Sequence, residues 1–196
     1  FYVAESLELQ NLGPFNHQYK NLMPFLSELA MKSTVFTNVI PQPLITFSMS
    51  SFFCTLCGFP VIFTPNVRLT GDLQGYIQLS PMFNCIPDIL HSLNYSNYFV
   101  LSGEHNFGNI QNFSRLHKFK VFSEDVFQRK YDSGSTNWTS KTLIPQLKNE
   151  QPFFLTFQNL DTHNGALPNA CIKSPKKRLN NDISKNLSAL TNTSKK

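Results

Sequence analysis

The chain lacks the long apolar segments that a membrane span requires. No stretch of its 196 residues approaches about 18 consecutive uncharged apolar residues, so the sequence predicts no transmembrane helix here. A secretory signal peptide is also not visible. Because the first residues already form an apolar, strand-like run, we expect a further segment upstream of Phe1, and any membrane anchor would lie there.

Charged residues are scarce, and the basic excess is confined to the C-terminal end. They make up 15% of the chain, and the net charge is +5. Residues 172–196 hold seven Lys or Arg and one acid, whereas residues 1–171 hold ten basic and eleven acidic residues. The last segment is polar and has no aromatic side chain to stack on bases, which is typical of a solvated end. We therefore expect a domain over 1–171, a flexible basic tail over 172–196 and no nucleic-acid partner.

Cysteine is sparse as well, with four copies, of which Cys54 and Cys57 form a C-x-x-C pair. Zinc at this pair would need a second ligand pair at a suitable spacing, and the sequence shows none. A thioredoxin-type pair would open a helix after a strand, but this pair falls late in an apolar run. Two interpretations stay open: a disulfide between Cys57 and Cys85 in an oxidising compartment, or buried thiols.

A hydroxyl-rich segment lies at 46–60, with the sequence TFSMSSFFCTLCGFP. Its first third carries the hydroxyls of Thr46, Ser48, Ser50 and Ser51. The pattern predicts a helix from Thr46 to about Cys57, whose free amino-terminal N–H groups favour an anion. The same position suits a nucleophile that carries developing negative charge, while an ordinary helix cap is the alternative interpretation.

Two apolar segments stop abruptly at polar residues of the kind that bind ligands. The first is followed by Glu5, and the second, PFFLTFQNL, is followed by Asp161 and His163. In open α/β sheets, sites form beyond the carboxyl ends of the strands. We therefore expect Glu5, Thr46, Asp161 and His163 to converge.

Strand-like and helix-like segments alternate along the chain, which predicts an α/β fold with a parallel sheet covered by helices. Residues 106–137 show no strong periodicity. The predicted strands are Phe1–Ala4, Thr34–Ile40, Asn97–Leu101 and Pro152–Leu160. Besides the helix at 46–57, the predicted helices are Leu22–Met31, Cys85–Leu93 and Leu143–Lys148.

Several short motifs occur in a characteristic order: ESLE, LMPFLSELA, TFS, CGFP, CIPDILHSLNYSNYFV and LDTH. Together they resemble the sulfatase superfamily, which has the alkaline-phosphatase-like fold. Within it they are most similar to phosphoglycerol transferases, which include lipoteichoic acid synthases and enzymes that decorate periplasmic glucans. The resemblance covers most of residues 1–171. It implies a three-layer sandwich with a mostly parallel sheet, of which this chain holds the N-terminal part.

The resemblance also implies a site with a divalent metal, Mn²⁺ first, with Zn²⁺ and Ca²⁺ as alternatives. Glu5 matches a metal ligand, and Thr46 matches the residue that is both ligand and nucleophile. An ungapped alignment from Cys57 places Ile45 at the nucleophile position, so Thr46 needs a shift of one residue and Ser48 is the second choice. His163 matches a histidine that contacts the substrate phosphate.

His105 is a further candidate for substrate binding, because it follows a predicted strand in the turn Ser-Gly-Glu-His. The alternative is a solvated loop histidine.

The implied activity is transfer or hydrolysis of a phosphate or sulfate ester through the Thr or Ser nucleophile. The implied partners are a phospholipid-type donor and a glycan or polyol acceptor. The implied location is the extracytoplasmic face of a membrane, in a periplasm or cell envelope or in a eukaryotic secretory lumen.

One part of the family pattern is missing. Members carry a later Asp-His ligand pair, but no histidine follows His163 and the last acid is Asp182. We therefore carry two hypotheses: the N-terminal part of an enzyme, or a catalytically inactive sulfatase-like module that binds or scaffolds.

Overall fold

The protein is described from a computed structural model, with a parallel β-sheet at its centre. Among the described residues, four strands form one sheet in the order β1-β4-β2-β3, and every adjacent pair is parallel. The strands are β1 (Tyr2–Ala4), β2 (Ser96–Leu101), β3 (Phe119–Phe122) and β4 (Phe153–Asn159). The structure describes residues 1–8, 12–13, 15–19, 23–40, 48–59, 82–104, 107–127, 134–149 and 152–162.

Helices connect and cover these strands. They are α1 (Pro24–Met31), α2 (Ser48–Cys57), α3 (Ile86–Ser92), α4 (Ile110–Leu116), α5 (Glu124–Phe127), α6 (Gly134–Trp138) and α7 (Ile144–Leu147). A π-helical stretch, Thr139–Leu143, joins α6 to α7. Within the described ranges, none of these helices has the length and apolar character needed to cross a bilayer.

The sheet buries side chains on both faces, as the alternation of β2 shows. Phe99 and Leu101 belong to one core and Tyr98 and Val100 to the other, because successive strand side chains point to opposite faces. The first core also contains Met49, Phe52, Phe53 and Leu56 from α2, Ile110 and Phe113 from α4, and Phe119. The second contains Phe127, Leu143, Leu147 and Phe157. Helices thus lie on both faces, and the predicted α/β fold with a parallel sheet is confirmed.

Aromatic packing fixes α2 against the sheet. The Phe99 ring is fully buried and meets Phe52 edge-on, with ring centroids 5.2 Å apart. Phe53, also fully buried, meets Phe113 of α4 at 5.9 Å. Edge-to-face pairs of this kind add about 0.5–1.5 kcal/mol beyond the area they bury. This packing fixes the middle of α2 against β2 and α4.

One predicted strand is wrong. Residues 34–40 form no strand or helix, and all of them are exposed, with Phe36 76% and Ile40 80% exposed. A strand is stabilised by hydrogen bonds to a neighbouring strand and by burial of one face, and these residues have neither in the described part of the chain. Their β-branched composition alone was therefore misleading.

Several predictions fall outside the described residues. These are the positions of Thr46, His105 and His163, and the basic tail at 172–196. The helix predicted from Thr46 is described from Ser48, where α2 begins.

Candidate active site at the carboxyl edge of the sheet

Glu5 lies directly beyond β1, at the carboxyl edge of the sheet. Its backbone N–H donates to the carbonyl of Asn159 at 3.0 Å, which extends the pairing of β1 with β4 by one residue. The next residue, Ser6, has a φ of 59° and turns the chain out of the strand direction. The Glu5 carboxylate is therefore placed where ligands bind in open parallel sheets.

The amino end of α2 meets this carboxylate. Ser48, the first residue of α2, donates its hydroxyl hydrogen to Oε1 of Glu5, and both side chains are half-buried. The helix is held in this position by Met49 and Phe53, which are 1% and 0% exposed. The site thus joins a strand end to a helix start. The predicted convergence of Glu5 with Thr46 and His163 involves positions outside the described residues.

The second carboxylate oxygen is held from β4. Nε2 of Gln158 donates to Oε2 of Glu5 at 2.6 Å, and the Gln158 side chain is 2% exposed. The hydroxyl of Thr162 donates to the backbone carbonyl of Glu5. Gln158 Oε1 is buried and meets no donor among the described residues. Glu5 is therefore fixed in orientation by neutral groups on both carboxylate oxygens.

No lysine or arginine in the described ranges forms an ion pair with Glu5. A half-buried carboxylate is stabilised by a cation, and carboxylate and hydroxyl oxygens are the ligands that hard divalent ions prefer. Glu5 and Ser48 bring two such oxygens together. Both oxygens are of a type that a divalent ion can bind, and Thr46 lies outside the described residues.

A second carboxylate, Asp161, organises the turn that follows β4. The backbone N–H of Asp161 donates to Oδ1 of Asn159, and Nδ2 of Asn159 donates to Oδ2 of Asp161, both at 2.9 Å. Thr136 of α6 donates to the same Oδ2 at 3.2 Å. Partial burial and the negative charge of Asp161 both raise the pKa of Tyr2. This turn leads the chain toward His163.

The end of β2 is tied to β4 in a similar way. The Ser102 hydroxyl donates to the carbonyl of Gln158 at 2.6 Å, and it lies 2.6 Å from the hydroxyl of Ser135. These groups are buried, so the hydrogen bonds fix the chain directly after β2. The strand ends of β1, β2 and β4 thus form one connected polar edge.

The structure brings Glu5 and Ser48 together, and it places Asp161 and Thr162 beyond the next strand of the same edge. Sequence reasoning missed the supporting role of Gln158. A signal was present: β4 has the sequence FFLTFQN, and a buried amide such as that of Gln158 near the end of a strand is expected to bond to a neighbour.

The sulfur atoms of Cys57 and Cys85 form a disulfide at the opposite end of α2. The bond joins the last residue of that helix to the residue before α3.

The parallel sheet with helices on both faces, and a polar site at its carboxyl edge, define an α/β protein of the alkaline-phosphatase-like type. Residues 1–194 match the sulfatase family model, and the chain belongs to the sulfatase family. The family generally uses divalent metal ions in hydrolase or transferase reactions. No curated protein matches the chain.

Two solved structures are similar to it. One is a protein in the alkaline phosphatase superfamily from Vibrio parahaemolyticus, with a TM-score of 0.64 and 23% identity over 89% of this chain and 43% of that chain. The other is the lipoteichoic acid synthase LtaP from Listeria monocytogenes, with a TM-score of 0.49 and 17% identity over 66% of this chain and 35% of that chain. The chain thus spans less than half the length of either protein.

Proposed function

We propose that the chain carries the nucleophile and two metal ligands, Glu5 and Thr46, of a metal-dependent enzyme that transfers phosphoglycerol. The donor is a phospholipid and the acceptor is a glycan or polyol. The contact between Glu5 and Ser48 supports this proposal most directly, because it joins a carboxylate to a hydroxyl-bearing helix start at the carboxyl edge of the sheet. Phosphoglycerol is named as the transferred group because the motif order is most similar to that of phosphoglycerol transferases.

Each residue has a distinct role in this proposal. Glu5 and Thr46 hold the divalent ion, which when bound lowers the pKa of a coordinated hydroxyl and neutralises charge on the phosphoryl oxygens. Thr46 is the first choice of nucleophile and Ser48 the second. The hydrogen bond from Ser48 to Glu5 orients a hydroxyl at the amino end of α2. His163 and His105 bind the phosphate from the turns after β4 and β2.

The reaction proceeds in two displacements. The enzyme hydroxyl attacks phosphorus, its proton passes to the oxygen of the departing diacylglycerol, and phosphoglycerol becomes esterified to the enzyme. The acceptor hydroxyl then attacks the same phosphorus and returns a proton to the enzyme oxygen. The amino end of α2 carries partial positive charge, which stabilises the phosphoryl group in both steps.

The disulfide between Cys57 and Cys85 supports the proposed location on the extracytoplasmic face of a membrane. Disulfides persist in oxidising compartments and are rare in the cytosol. A donor phospholipid is also accessible at that face.

The direct test is a search for the enzyme-bound intermediate. The chain is incubated with Mn²⁺ and phosphatidylglycerol vesicles, and the peptide that contains residues 46–57 is analysed by mass spectrometry for a glycerophosphate adduct. We expect the adduct in the wild type and in Glu28→Ala, a control that removes an exposed carboxylate paired with Lys32. We expect its loss in Glu5→Ala.

The nucleophile variants assign the modified oxygen. Loss in Thr46→Ala alone identifies Thr46, and loss in Ser48→Ala alone identifies Ser48. An adduct that still forms when Thr46 and Ser48 are both replaced by alanine in one chain overturns the proposed site. An adduct that forms in Glu5→Ala does the same. Metal binding without any adduct would instead favour a non-catalytic sulfatase-like module.

A further inference from the structure

A second group of metal-type side chains lies at the carboxyl end of α2. The ligand atoms of Cys57, Cys85 and His117 lie within 4.8 Å of one another. Ser48 opens the same ten-residue helix and Cys57 closes it, so the group is about 14 Å along the helix axis from the candidate active site at a rise of about 1.5 Å per residue. The proposed transfer reaction does not use these side chains.

The imidazole of His117 is held in one orientation by Asp88. Nδ1 of His117 lies 2.6 Å from Oδ2 of Asp88, so the carboxylate is the acceptor and Nδ1 carries the hydrogen. The other ring nitrogen, Nε2, lies 3.7 Å from Sγ of Cys85. Zinc-binding histidines are commonly oriented in this way, with one nitrogen on a carboxylate and the other on the metal.

The same carboxylate also positions Cys85. The backbone N–H of Cys85 donates to Oδ2 of Asp88 at 2.9 Å, which caps the start of α3. Cys85 and His117 are 0% and 2% exposed, and the His117 ring packs against Phe113 with centroids 4.6 Å apart. Two of the three ligand-type groups are therefore buried and fixed through one shared acid.

Two thiolates and a neutral imidazole are a preferred ligand set for zinc. The sulfur atoms of Cys57 and Cys85 are bonded to each other in this structure, so they become ligands only after reduction.

We propose that reduction of the Cys57–Cys85 disulfide opens a zinc site formed by both thiolates and Nε2 of His117. A dithiol reductant supplies two electrons and two protons, which break the S–S bond and leave two thiols, while the reductant becomes a disulfide. Zn²⁺ then displaces the two thiol protons. Three protein ligands leave the fourth tetrahedral position to water.

The zinc site replaces one cross-link with another. The disulfide joins the end of α2 to the residue before α3, and the zinc site joins both to the residue that follows α4. The helix that bears Ser48 is therefore anchored in either redox state. This inference does not depend on the proposed transfer reaction.

Cobalt titration of the whole chain tests the site, because thiolate-bound Co²⁺ absorbs in the near ultraviolet and tetrahedral Co²⁺ absorbs in the visible. The chain is reduced with a dithiol, freed of reductant under anaerobic conditions and titrated beside the oxidised chain. We expect the thiolate band to saturate at one equivalent in the reduced chain, to be absent from the oxidised chain and to be bleached by Zn²⁺; visible absorption that the oxidised chain also shows belongs to the other site. Glu5→Ala should retain the thiolate band, since its carboxylate belongs to the other site.

Substitutions locate the bound ion. Cys85→Ser should abolish the thiolate band of the reduced chain at one equivalent, and His117→Ala should weaken binding by at least about tenfold. Asp88→Asn should weaken it by about 10–100-fold, the usual effect of losing a carboxylate that orients a ligand. Cys54→Ser is the matched control, because Cys54 lies one turn earlier on α2 and outside the group.

A reduced wild-type chain without a thiolate band would overturn the proposal, as would a band that survives Cys85→Ser. If reduction alone lowers the helical circular dichroism, Zn²⁺ should restore it at one equivalent. Failure to restore it also counts against the site.

Discussion

The hydroxyl of Ser48 donates a hydrogen bond to the carboxylate of Glu5, which joins residues that are 43 positions apart in the chain. The bond links the end of β1 to the start of α2. Glu5 and the segment at 46–57 were predicted from the sequence to lie close together, and this hydrogen bond is a direct contact between them.

Removing the Ser48 hydroxyl should weaken the fold. Ser48→Ala leaves one oxygen of a half-buried carboxylate without its donor, and hydrogen bonds to charged groups contribute about 1.5–3 kcal/mol when well buried. We expect the free energy of unfolding in metal-free buffer to fall by about 1–2 kcal/mol, because the pair is only partly buried. Urea denaturation measures it, with Ser51→Ala on the exposed face of α2 as control. Equal effects of the two substitutions would contradict the role given to Ser48.

Divalent metal binding should depend on the charge of Glu5. Glu5→Gln keeps an oxygen that accepts the Ser48 hydrogen bond but removes the negative charge that attracts the ion. We expect calorimetric titration with Mn²⁺ to show an affinity at least about tenfold lower, equivalent to about 1.4 kcal/mol. Glu28→Gln, on the surface of α1, should bind as the wild type does. An unchanged affinity in Glu5→Gln would exclude Glu5 as a ligand.

The position of Glu5 could be predicted from sequence because two simple signals coincide. An apolar run predicts a buried strand, and a carboxylate immediately after it predicts an edge site in a parallel sheet. The same logic found β4 and the polar turn at Asp161. Both signals lie in a few consecutive residues, so they can be recognised without knowing which strands lie next to β1 in the sheet.

Other parts of the structure carry no local signal. β3 (Phe119–Phe122) has four residues and one of them is Lys120, so its apolar pattern is too short to detect, and its pairing with β2 decides its conformation. The sequence predicted no zinc site at Cys54 and Cys57, because no second ligand pair follows at a suitable spacing, and the group of Cys57, Cys85 and His117 has no local spacing that would indicate it. Its members come from α2, the start of α3 and the end of α4; Cys57 and Cys85 are 28 positions apart, and Cys85 and His117 are 32 positions apart.

Stability should fall in alkaline solution as Tyr2 ionises. Burial and the charge of Asp161 raise the pKa of Tyr2 in the folded state above its ordinary value of about 10. The unfolded chain therefore loses its proton first, so this contribution to stability is complete below pH about 10 and is lost as the pH rises through the folded pKa. Denaturation as a function of pH should show a smaller alkaline loss in Tyr2→Phe than in the wild type.

Asp161→Asn separates the two causes of the Tyr2 shift. It removes the neighbouring charge but retains a side chain that can accept from Asn159 and Thr136. We expect the pKa of Tyr2, followed by ¹³C-tyrosine NMR, to move toward its ordinary value but not to reach it, because burial is the larger cause. Asp125→Asn should leave the titration unchanged. A pKa unaffected by Asp161→Asn would show that the two groups do not interact.

The turn after β4 should depend on the side chain of Asn159. Asn159 is 3% exposed, and its amide bonds to the backbone and carboxylate of Asp161 and to the hydroxyl of Thr136 at 2.7 Å. Asn159→Leu removes these hydrogen bonds while the side chain keeps a similar volume. We therefore expect the free energy of unfolding to fall by about 2–4 kcal/mol. Asn112→Leu, at an exposed site, should change it by less than about 0.5 kcal/mol. Similar losses at both sites would refute this account.

Two glycines with left-handed backbone conformations should respond differently to alanine. Gly58 has a φ of 66° and a Cβ there would meet no atom within 4 Å, so Gly58→Ala should cost only the backbone strain, about 1–2 kcal/mol. Gly108 has a φ of 55°, and its Cβ would lie 2.4 Å from Cγ of Met49, a buried residue of α2. Gly108→Ala therefore adds overpacking of about 1–3 kcal/mol and shifts the helix that bears Ser48.

Urea denaturation should give Gly108→Ala a clearly lower free energy of unfolding than Gly58→Ala. The affinity for Mn²⁺ should fall in Gly108→Ala alone. Equal stabilities would mean that Met49 does not fix α2 at this point.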